Sequence, residues 1–177
     1  MPDFSLRFPP EDIEPLAERF GDTDDAACEQ AGAAARGRGH YSRAEFLTVC
    51  AWKTPRSRPR VERNAAPAVE RATRRALGSA EERERMEALV ELEGVGVPTA
   101  STLLHFALPA DYPILDVRAL ESLGHTGKST AYSVPFWLDY LEACRRLATS
   151  HGVSMRTLDK ALWQHSKDRS AAITRSP

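Results

Sequence analysis

Two glycines one residue apart are this chain's clearest candidates for binding chemistry, in the sequence Gly94-Val95-Gly96-Val97-Pro98-Thr99. Glycine permits a tight turn that residues with side chains resist. Pro98 suits the first turn of a helix, because its φ angle is already helical and its missing N–H is not needed there. The first N–H groups of such a helix point outward with the positive end of the helix dipole, so they can bind an anion. A tight helix–helix connection with no ligand fits the same residues.

Apolar residues at helical spacing lie on both sides of the glycines and must position the turn. The upstream set on one helical face is Met86, Leu89, Val90 and Leu92. The downstream set is Ala100, Leu103, Leu104 and Ala107. This spacing predicts two short helices joined by a hairpin. Strand-like alternation is nearly absent along the chain, so we predict an all-α fold.

The same stretch resembles a known family. Leu92-Glu93-Gly94-Val95-Gly96, followed by Thr99 and Ala100, is similar to the helix-hairpin-helix motif, which binds a DNA backbone phosphate. Asp116 follows Ala100 by sixteen residues, within Ile114-Leu115-Asp116-Val117-Arg118. That segment is similar to the one carrying the catalytic aspartate in helix-hairpin-helix DNA glycosylases of the endonuclease III superfamily. The resemblance covers roughly residues 42–124, and its motifs lie in 86–124.

The resemblance implies base excision, with Asp116 as the catalytic residue. Breaking an N-glycosidic bond leaves positive charge on the sugar, and a carboxylate near C1′ can stabilise that charge and orient or deprotonate water. The nucleotide must first be rotated out of the base stack. Asp116 is also well placed to cap the helix that follows it, and one residue can do both.

One position departs from the family pattern. Members that also cleave the DNA strand carry a lysine two residues after the second glycine, which attacks C1′ and forms a Schiff base. Pro98 occupies that position and has no amine, so the resemblance implies a monofunctional glycosylase without lyase activity.

No cofactor is expected. The three cysteines, Cys28, Cys50 and Cys144, cannot supply the four-cysteine iron–sulfur site that many relatives carry. No metal site is predicted from the side chains. A monovalent cation bound at the hairpin is the one candidate.

A basic block lies inside a chain of net charge −1. Residues 36–75 hold eleven basic and three acidic side chains, whereas 1–35 hold two basic and nine acidic ones. Such a block is typical of a local polyanion contact. We therefore predict contacts with duplex DNA from the hairpin residues Gly94, Val95, Gly96, Val97 and Thr99 and from the cations Lys53, Arg56, Arg58 and Arg60.

Trp52 precedes these cations and has two interpretations. In the resembling family, a loop after the comparable helix fills the gap left by the extruded base, so Trp52 is a candidate wedge. A core tryptophan that closes the helix end is slightly favoured.

The chain is predicted to form one α-helical domain with four parts. These are acidic N-terminal helices and a basic loop (1–41), a glycosylase-like core (42–124), C-terminal helices (125–167) and a frayed tail (168–177). About forty residues separate the helix ending at Trp52 from Gly94, fewer than the family's helical barrel needs. The base pocket would then be incomplete, or built partly from the N-terminal helices.

Local signals predict several helix ends and surfaces. Ser42 and Ser154 are expected N-caps, and Ser79 with Glu82 is typical of a capping box. Residues 22–25 are expected to cap the second helix. The acidic residues around them are expected to form a solvated face. Leu158, Leu162 and Trp163 are interpreted as core residues.

Three functions remain open at this stage. The first is a monofunctional DNA glycosylase for a damaged or modified base. No substrate-specific motif identifies that base. The second is a non-catalytic helix-hairpin-helix module that binds DNA, and the third is an α-helical protein-interaction domain unrelated to DNA. No membrane-length apolar run or secretory signal is visible, and the odd cysteine count suits a reducing compartment. We expect a cytoplasmic, nucleoid-associated protein without membrane contact.

Overall fold

A computed structural model describes residues 3–21, 24–126 and 132–175, with side chains as far as residue 172. Within those ranges every regular element is a helix, which confirms the all-α prediction. The α-helices are α1 (Ile13–Phe20), α2 (Ala26–Arg38), α3 (Arg43–Lys53), α4 (Arg58–Val61), α5 (Ala66–Gly78), α6 (Glu82–Val90), α7 (Val97–Ala107), α8 (Val117–Ser122), α9 (Val134–His151) and α10 (Met155–Arg175).

The glycine turn lies between α6 and α7, as the apolar spacing predicts. Gly94 has a φ angle of +76°, and a Cβ there would lie 2.8 Å from the Cβ of Arg60. Glycine is therefore required at this position. Gly96 has an ordinary φ of −92°, and an added Cβ would meet only Pro98 Cδ, at 3.7 Å. The second glycine leaves open space above the start of α7 rather than shaping the turn.

Helix α7 passes through the middle of the hydrophobic core. All but one of its residues are buried, and α2 crosses it so closely that a Cβ on Gly32 would lie 2.0 Å from the carbonyl oxygen of Phe106. The Tyr41 hydroxyl donates a 2.7 Å hydrogen bond to Leu103 O on the same helix. A single cluster of buried apolar side chains extends from Phe4 to Leu162.

The terminal helices pack against each other. Helix α10 lies against α1 and α8, and an ion pair of 2.9 Å joins Arg19 to Asp168. Helix α10 continues to Arg175, so it includes most of the stretch 168–177 that was predicted to be a frayed tail. None of the described helices is long and apolar enough to cross a membrane.

The predicted helix caps are partly confirmed. Ser42 forms a capping box with Glu45, and Ser154 Oγ accepts a 3.0 Å hydrogen bond from Thr157 N. Ser79 does not cap α6, which begins at Glu82 without a side-chain cap. Its hydroxyl instead accepts a 3.0 Å bond from Glu81 N, because the chain makes a turn before the helix starts.

Candidate active site

Asp116 ends an extended segment and uses its two carboxylate oxygens differently. Oδ1 accepts a 2.8 Å hydrogen bond from Arg118 N and caps α8, which confirms the predicted cap. Oδ2 accepts a 3.1 Å charge-assisted hydrogen bond from Lys53 Nζ. The Asp116 side chain keeps 28% of its surface exposed. One oxygen thus maintains the local fold, while the other faces the space beside Lys53.

Lys53 reaches Asp116 from the last residue of α3, sixty-three positions earlier in the chain. Thr54 N closes the helix on Cys50 O, and Pro55 turns the chain away at that point. The Lys53 side chain is only 11% exposed. Its ammonium group is therefore directed inward to Asp116 instead of lying on the surface, where the sequence predicted a DNA contact.

A cavity of about 340 Å³ lies beside the Asp116–Lys53 pair. This volume is within the range of about 300–1,000 Å³ that is usual for small-ligand pockets. Its walls are formed by the end of α3, by three residues of the segment 114–119, by four residues of α10 and by Phe20 of α1. The two terminal helices thus complete a pocket that the central segment alone would leave open.

An ion-pair network closes one side of the cavity. Arg156 donates to Asp159 at 3.0 Å and also to Asp25, which in turn accepts a 3.2 Å bond from the Trp52 indole N–H. Asp159 additionally accepts a 3.1 Å bond from Ile114 N. Burial raises the pKa of Asp159 above its ordinary value, although the nearby cations oppose the shift.

Asp25 corrects two sequence predictions. It precedes α2 but forms no side-chain cap there, and it is buried rather than part of a solvated face. A buried carboxylate without a cationic partner is costly, so for Asp25 the ion pair with Arg156 outweighs a cap. Of the other predicted caps, Asp22 and Thr23 lie outside the described residues, and Asp24 is not at the N-cap position, which Asp25 occupies.

Three aromatic rings line the cavity, and two of them carry cations. Phe20 meets Trp163 edge to face at 5.1 Å between ring centroids. The Arg118 guanidinium carbon and the Lys167 ammonium nitrogen lie 5.2 and 5.1 Å from the Trp163 ring centroid. Leu158 and Leu162 are buried as predicted, whereas Trp163 is half-buried and belongs to the cavity wall.

Trp52 is the third ring of the wall. Its indole packs edge to face on Phe106, at 5.2 Å between centroids, while its N–H is bound to Asp25. This placement agrees with the favoured interpretation of a tryptophan that closes the helix end. A side chain held in this way lines the cavity, so its placement does not favour a wedge that enters DNA.

The cavity is connected to the glycine hairpin by short, hydrogen-bonded segments. Ser101, in the first turns of α7, accepts a 2.9 Å bond from Leu115 N and donates a 2.7 Å bond to Pro98 O. Asp116 is therefore one residue from a group bonded to the start of α7. On the other side, Asn64 Nδ2 and Oδ1 bond the carbonyl and N–H of Glu93, each at 2.9 Å.

The hairpin offers backbone groups rather than side chains to a ligand. The side chains of Val95, Val97 and Thr99 are all buried. Gly96 precedes α7 without a side-chain cap, so the first N–H groups of the helix lack that partner. Uncapped N–H groups at the start of a helix can bind an anion.

The predicted basic residues differ in their surroundings. Arg56, Arg58 and Arg60 are exposed, and α4 carries two of them directly onto the hairpin, where Arg60 contacts Gly94. Arg58 is engaged in a 2.7 Å ion pair with Glu62. Arg56 and Arg60 are consequently the better candidates for contacts with a polyanion beside the hairpin.

Several cavity residues were not predicted as site residues. Arg156, Asp159, Trp163 and Lys167 recur at intervals of three and four along α10, so they share one helical face. That polar and aromatic stripe was a readable signal. Phe20 and Asp25 carry no such signal, since only the tertiary fold brings them to the cavity.

The cysteines and the hairpin carbonyls are the groups to consider for a bound metal or cofactor. Cys28, Cys50 and Cys144 are buried free thiols, and in the described ranges no three His, Cys, Asp or Glu side chains form a metal-binding group. At the hairpin, Leu92 O and Glu93 O already accept hydrogen bonds from Val95 N and Asn64. Each of these carbonyl oxygens keeps a second lone pair, so a monovalent cation at the hairpin stays a prediction.

The chain matches no protein-family model, no curated protein and no solved structure.

Proposed function

We propose that this protein is a DNA glycosylase that hydrolyses the N-glycosidic bond of a damaged or modified base. One observation carries the proposal. The exposed part of the Asp116 carboxylate faces an aromatic-lined cavity, and its segment is hydrogen-bonded to the start of α7 through Ser101. A phosphate-binding element and a carboxylate are thus linked at a short distance, as excision of an extruded base requires.

DNA binding would begin at the hairpin. The free N–H groups at the start of α7 would bind one backbone phosphate, and Arg56 and Arg60 would neutralise neighbouring ones. Because the hairpin side chains are buried, the hairpin would contact the DNA through its backbone. A protein of this kind acts on the chromosome, so we expect it at the nucleoid in the cytoplasm.

The cavity would then receive the extruded base. Trp52, Trp163 and Phe20 offer apolar and π surfaces, and base–aromatic stacking is worth about 1–3 kcal/mol per base. Arg156 and Asp159 supply a donor and an acceptor at the cavity wall for hydrogen bonds to the base edge. These groups select the base by its hydrogen-bonding edge rather than by its charge.

Asp116 would act on the sugar. As the bond to the base breaks, positive charge develops at C1′, and the carboxylate stabilises it. The same carboxylate can orient and deprotonate the water that attacks C1′. Its cap to Arg118 N holds the group in place during this step.

The first prediction concerns excision by Asp116→Asn. The amide keeps an oxygen for the α8 cap but loses the charge, so excision should slow by at least about 100-fold. The assay measures abasic-site formation on duplexes carrying a panel of deaminated, oxidised and alkylated bases. DNA binding should persist.

The matched control is Asp12→Asn, which changes an exposed aspartate that also precedes a helix but forms no side-chain cap. It should excise at the wild-type rate. An Asp116→Asn protein as active as wild type would remove Asp116 from catalysis. If the wild type binds duplexes but excises no base, the protein is better described as a non-catalytic DNA-binding module than as a glycosylase.

A further inference from the structure

The structure brings an amine to Asp116 from an unexpected direction. Position 98 in α7 holds a proline, so the hairpin supplies no nucleophilic amine there. Lys53 instead approaches the carboxylate from the end of α3, with its Nζ 3.1 Å from Asp116 Oδ2. We propose that Lys53 is a covalent nucleophile, which forms an imine with the C1′ aldehyde of an abasic site. This inference rests on the proposed glycosylase function.

The placement of Lys53 suits a nucleophile better than a contact with the DNA backbone. Its side chain is nearly enclosed, lines the cavity and ends at the same carboxylate that faces the sugar in the proposed function. A lysine that bound phosphates would have to lie on the surface, as Arg56 and Arg60 do. The ion pair holds the amine within a few ångströms of the position that C1′ would occupy beside Asp116.

Lys53 is also singled out among the few lysines of this chain. The sequence holds four, at positions 53, 128, 160 and 167. Of those in the described part, only Lys53 and Lys167 line the cavity, and the Lys167 ammonium lies over the Trp163 ring. Lys160 lies over the Phe20 ring, at 5.6 Å from its centroid, and lines a separate surface depression beside α1.

The covalent step balances with the groups present. Asp116 takes one proton from the Lys53 ammonium, and the neutral amine adds to the C1′ carbonyl. A new C–N bond forms, and the carbonyl oxygen becomes a hydroxyl by taking a proton from the attacking nitrogen. Asp116 returns its proton to that hydroxyl, which leaves as water and yields a protonated imine. One ammonium and one aldehyde thus give one iminium ion and one water, with no oxidant or reductant.

The test uses a duplex with a preformed abasic site, so that it does not depend on base excision. Sodium borohydride reduces an imine to a stable amine and so links protein to DNA. We expect the wild type to form this adduct, and peptide mass mapping to place the DNA remnant on Lys53. Lys53→Gln should lose the adduct.

Two further variants separate chemistry from structure. Lys53→Arg keeps a cation for Asp116 and should keep the fold, measured by its thermal unfolding, but its guanidinium forms no imine, so the adduct should be lost here also. Lys160→Gln removes a nearby amine outside the cavity and should trap as much as wild type. An adduct that persists in Lys53→Arg, or that maps to Lys128, Lys160, Lys167 or the N-terminal amine, would overturn the inference.

The failures of the two proposals are distinguishable. Excision of a damaged base without any trapping on preformed abasic sites would leave the glycosylase in place and remove Lys53 as a nucleophile. Trapping at Lys53 without excision from the lesion panel would leave the nucleophile and limit the enzyme to abasic sites.

Discussion

At the scale of single residues, Asp116 divides a structural role and a chemical role between its two oxygens. The bond from Arg118 N maintains the start of α8, and the bond from Lys53 keeps the other oxygen beside the cavity. The two roles can therefore be separated by an asparagine, which keeps an oxygen for the cap but removes the charge. Because the asparagine also leaves the nearly enclosed Lys53 ammonium without its carboxylate, the excision rate of Asp116→Asn must be read together with its thermal unfolding.

His105 gives a prediction about the effect of pH on stability. The residue is buried in α7, and its Nδ1 lies 2.7 Å from Tyr112 O, so Nδ1 must carry the proton. Burial lowers the pKa of His105. The unfolded chain, with a pKa of about 6.5, takes up a proton first as the pH falls. The fold should therefore lose stability from about pH 6.5 down to the folded-state pKa, by at most about 1.4 kcal/mol per pH unit.

The measurement compares urea unfolding of wild type and His105→Asn between pH 7 and pH 5. Asparagine can still donate to Tyr112 O but does not titrate, so its stability should fall less steeply. His165, whose pKa is also lowered by burial, contributes equally to both proteins. Parallel profiles for the two proteins would show that His105 does not titrate in this range.

At the scale of elements, the hairpin assigns different jobs to its two glycines. Gly94 needs a left-handed conformation and close contact with Arg60 and Val61. Gly96 has an extended conformation that any residue adopts and stands at the uncapped start of α7. The first glycine is therefore required by the fold, and the second leaves space for a ligand.

Substitutions at these glycines should have opposite effects on stability. Gly94→Ala should destabilise the protein by about 1–3 kcal/mol, because alanine resists this φ angle and its Cβ would overlap Arg60 and Val61. Gly96→Asp should raise stability by a few tenths of a kcal/mol, since aspartate caps a helix better than glycine. The same aspartate should weaken DNA binding sharply, because its carboxylate occupies the N–H groups and repels phosphate.

Thermal unfolding and fluorescence anisotropy with a labelled duplex measure the two effects on the same samples. Gly96→Ala serves as the uncharged control: the fold accommodates its Cβ, and only a small loss of stability is expected because alanine caps a helix less well than glycine. Undiminished DNA affinity of a stable Gly96→Asp protein would exclude the hairpin from the interface.

Helix positions were largely readable from the sequence, whereas the cavity was not. Apolar spacing on each side of Gly94 and Gly96 is a local pattern, and so is the serine cap at Ser42; both depend on neighbours a few residues away. Asp25 follows the same local rules for a cap but binds Arg156, which lies 131 positions further along the chain. A rule based on neighbouring residues cannot predict an ion pair with a residue so far away in the sequence. The predicted cap at Asp25 was therefore wrong.

At the scale of the whole molecule, the predicted DNA-binding surface is a small basic area on a chain of net charge −1. Binding that depends on such an area should be strongly weakened by salt. The logarithm of the affinity falls with the logarithm of the salt concentration, with a slope of about −0.9 for each phosphate neutralised. Arg56→Gln and Arg60→Gln should each make the slope shallower by roughly 0.9 and weaken binding to all sequences alike.

The matched control is Arg146→Gln, which removes an exposed cation from α9. Its salt slope should equal that of the wild type, because α9 packs on α6 and α10 rather than closely on α4. If the salt slope becomes shallower by the same amount in all three variants, the electrostatic attraction to DNA is general and is not centred on the hairpin. If none does, arginines at these two positions do not touch DNA.

The cavity's dependence on both chain ends has a consequence for protein synthesis. Four of its wall residues belong to α10, and Phe20 belongs to α1. A ribosome adds about 5–20 residues per second, and α10 leaves it after the hairpin and Asp116. The hairpin and Asp116 are therefore made well before the helix that closes the pocket. A growing chain can fold its hairpin early, but the Asp116–Lys53 pair acquires its full cavity only after α10 has been made.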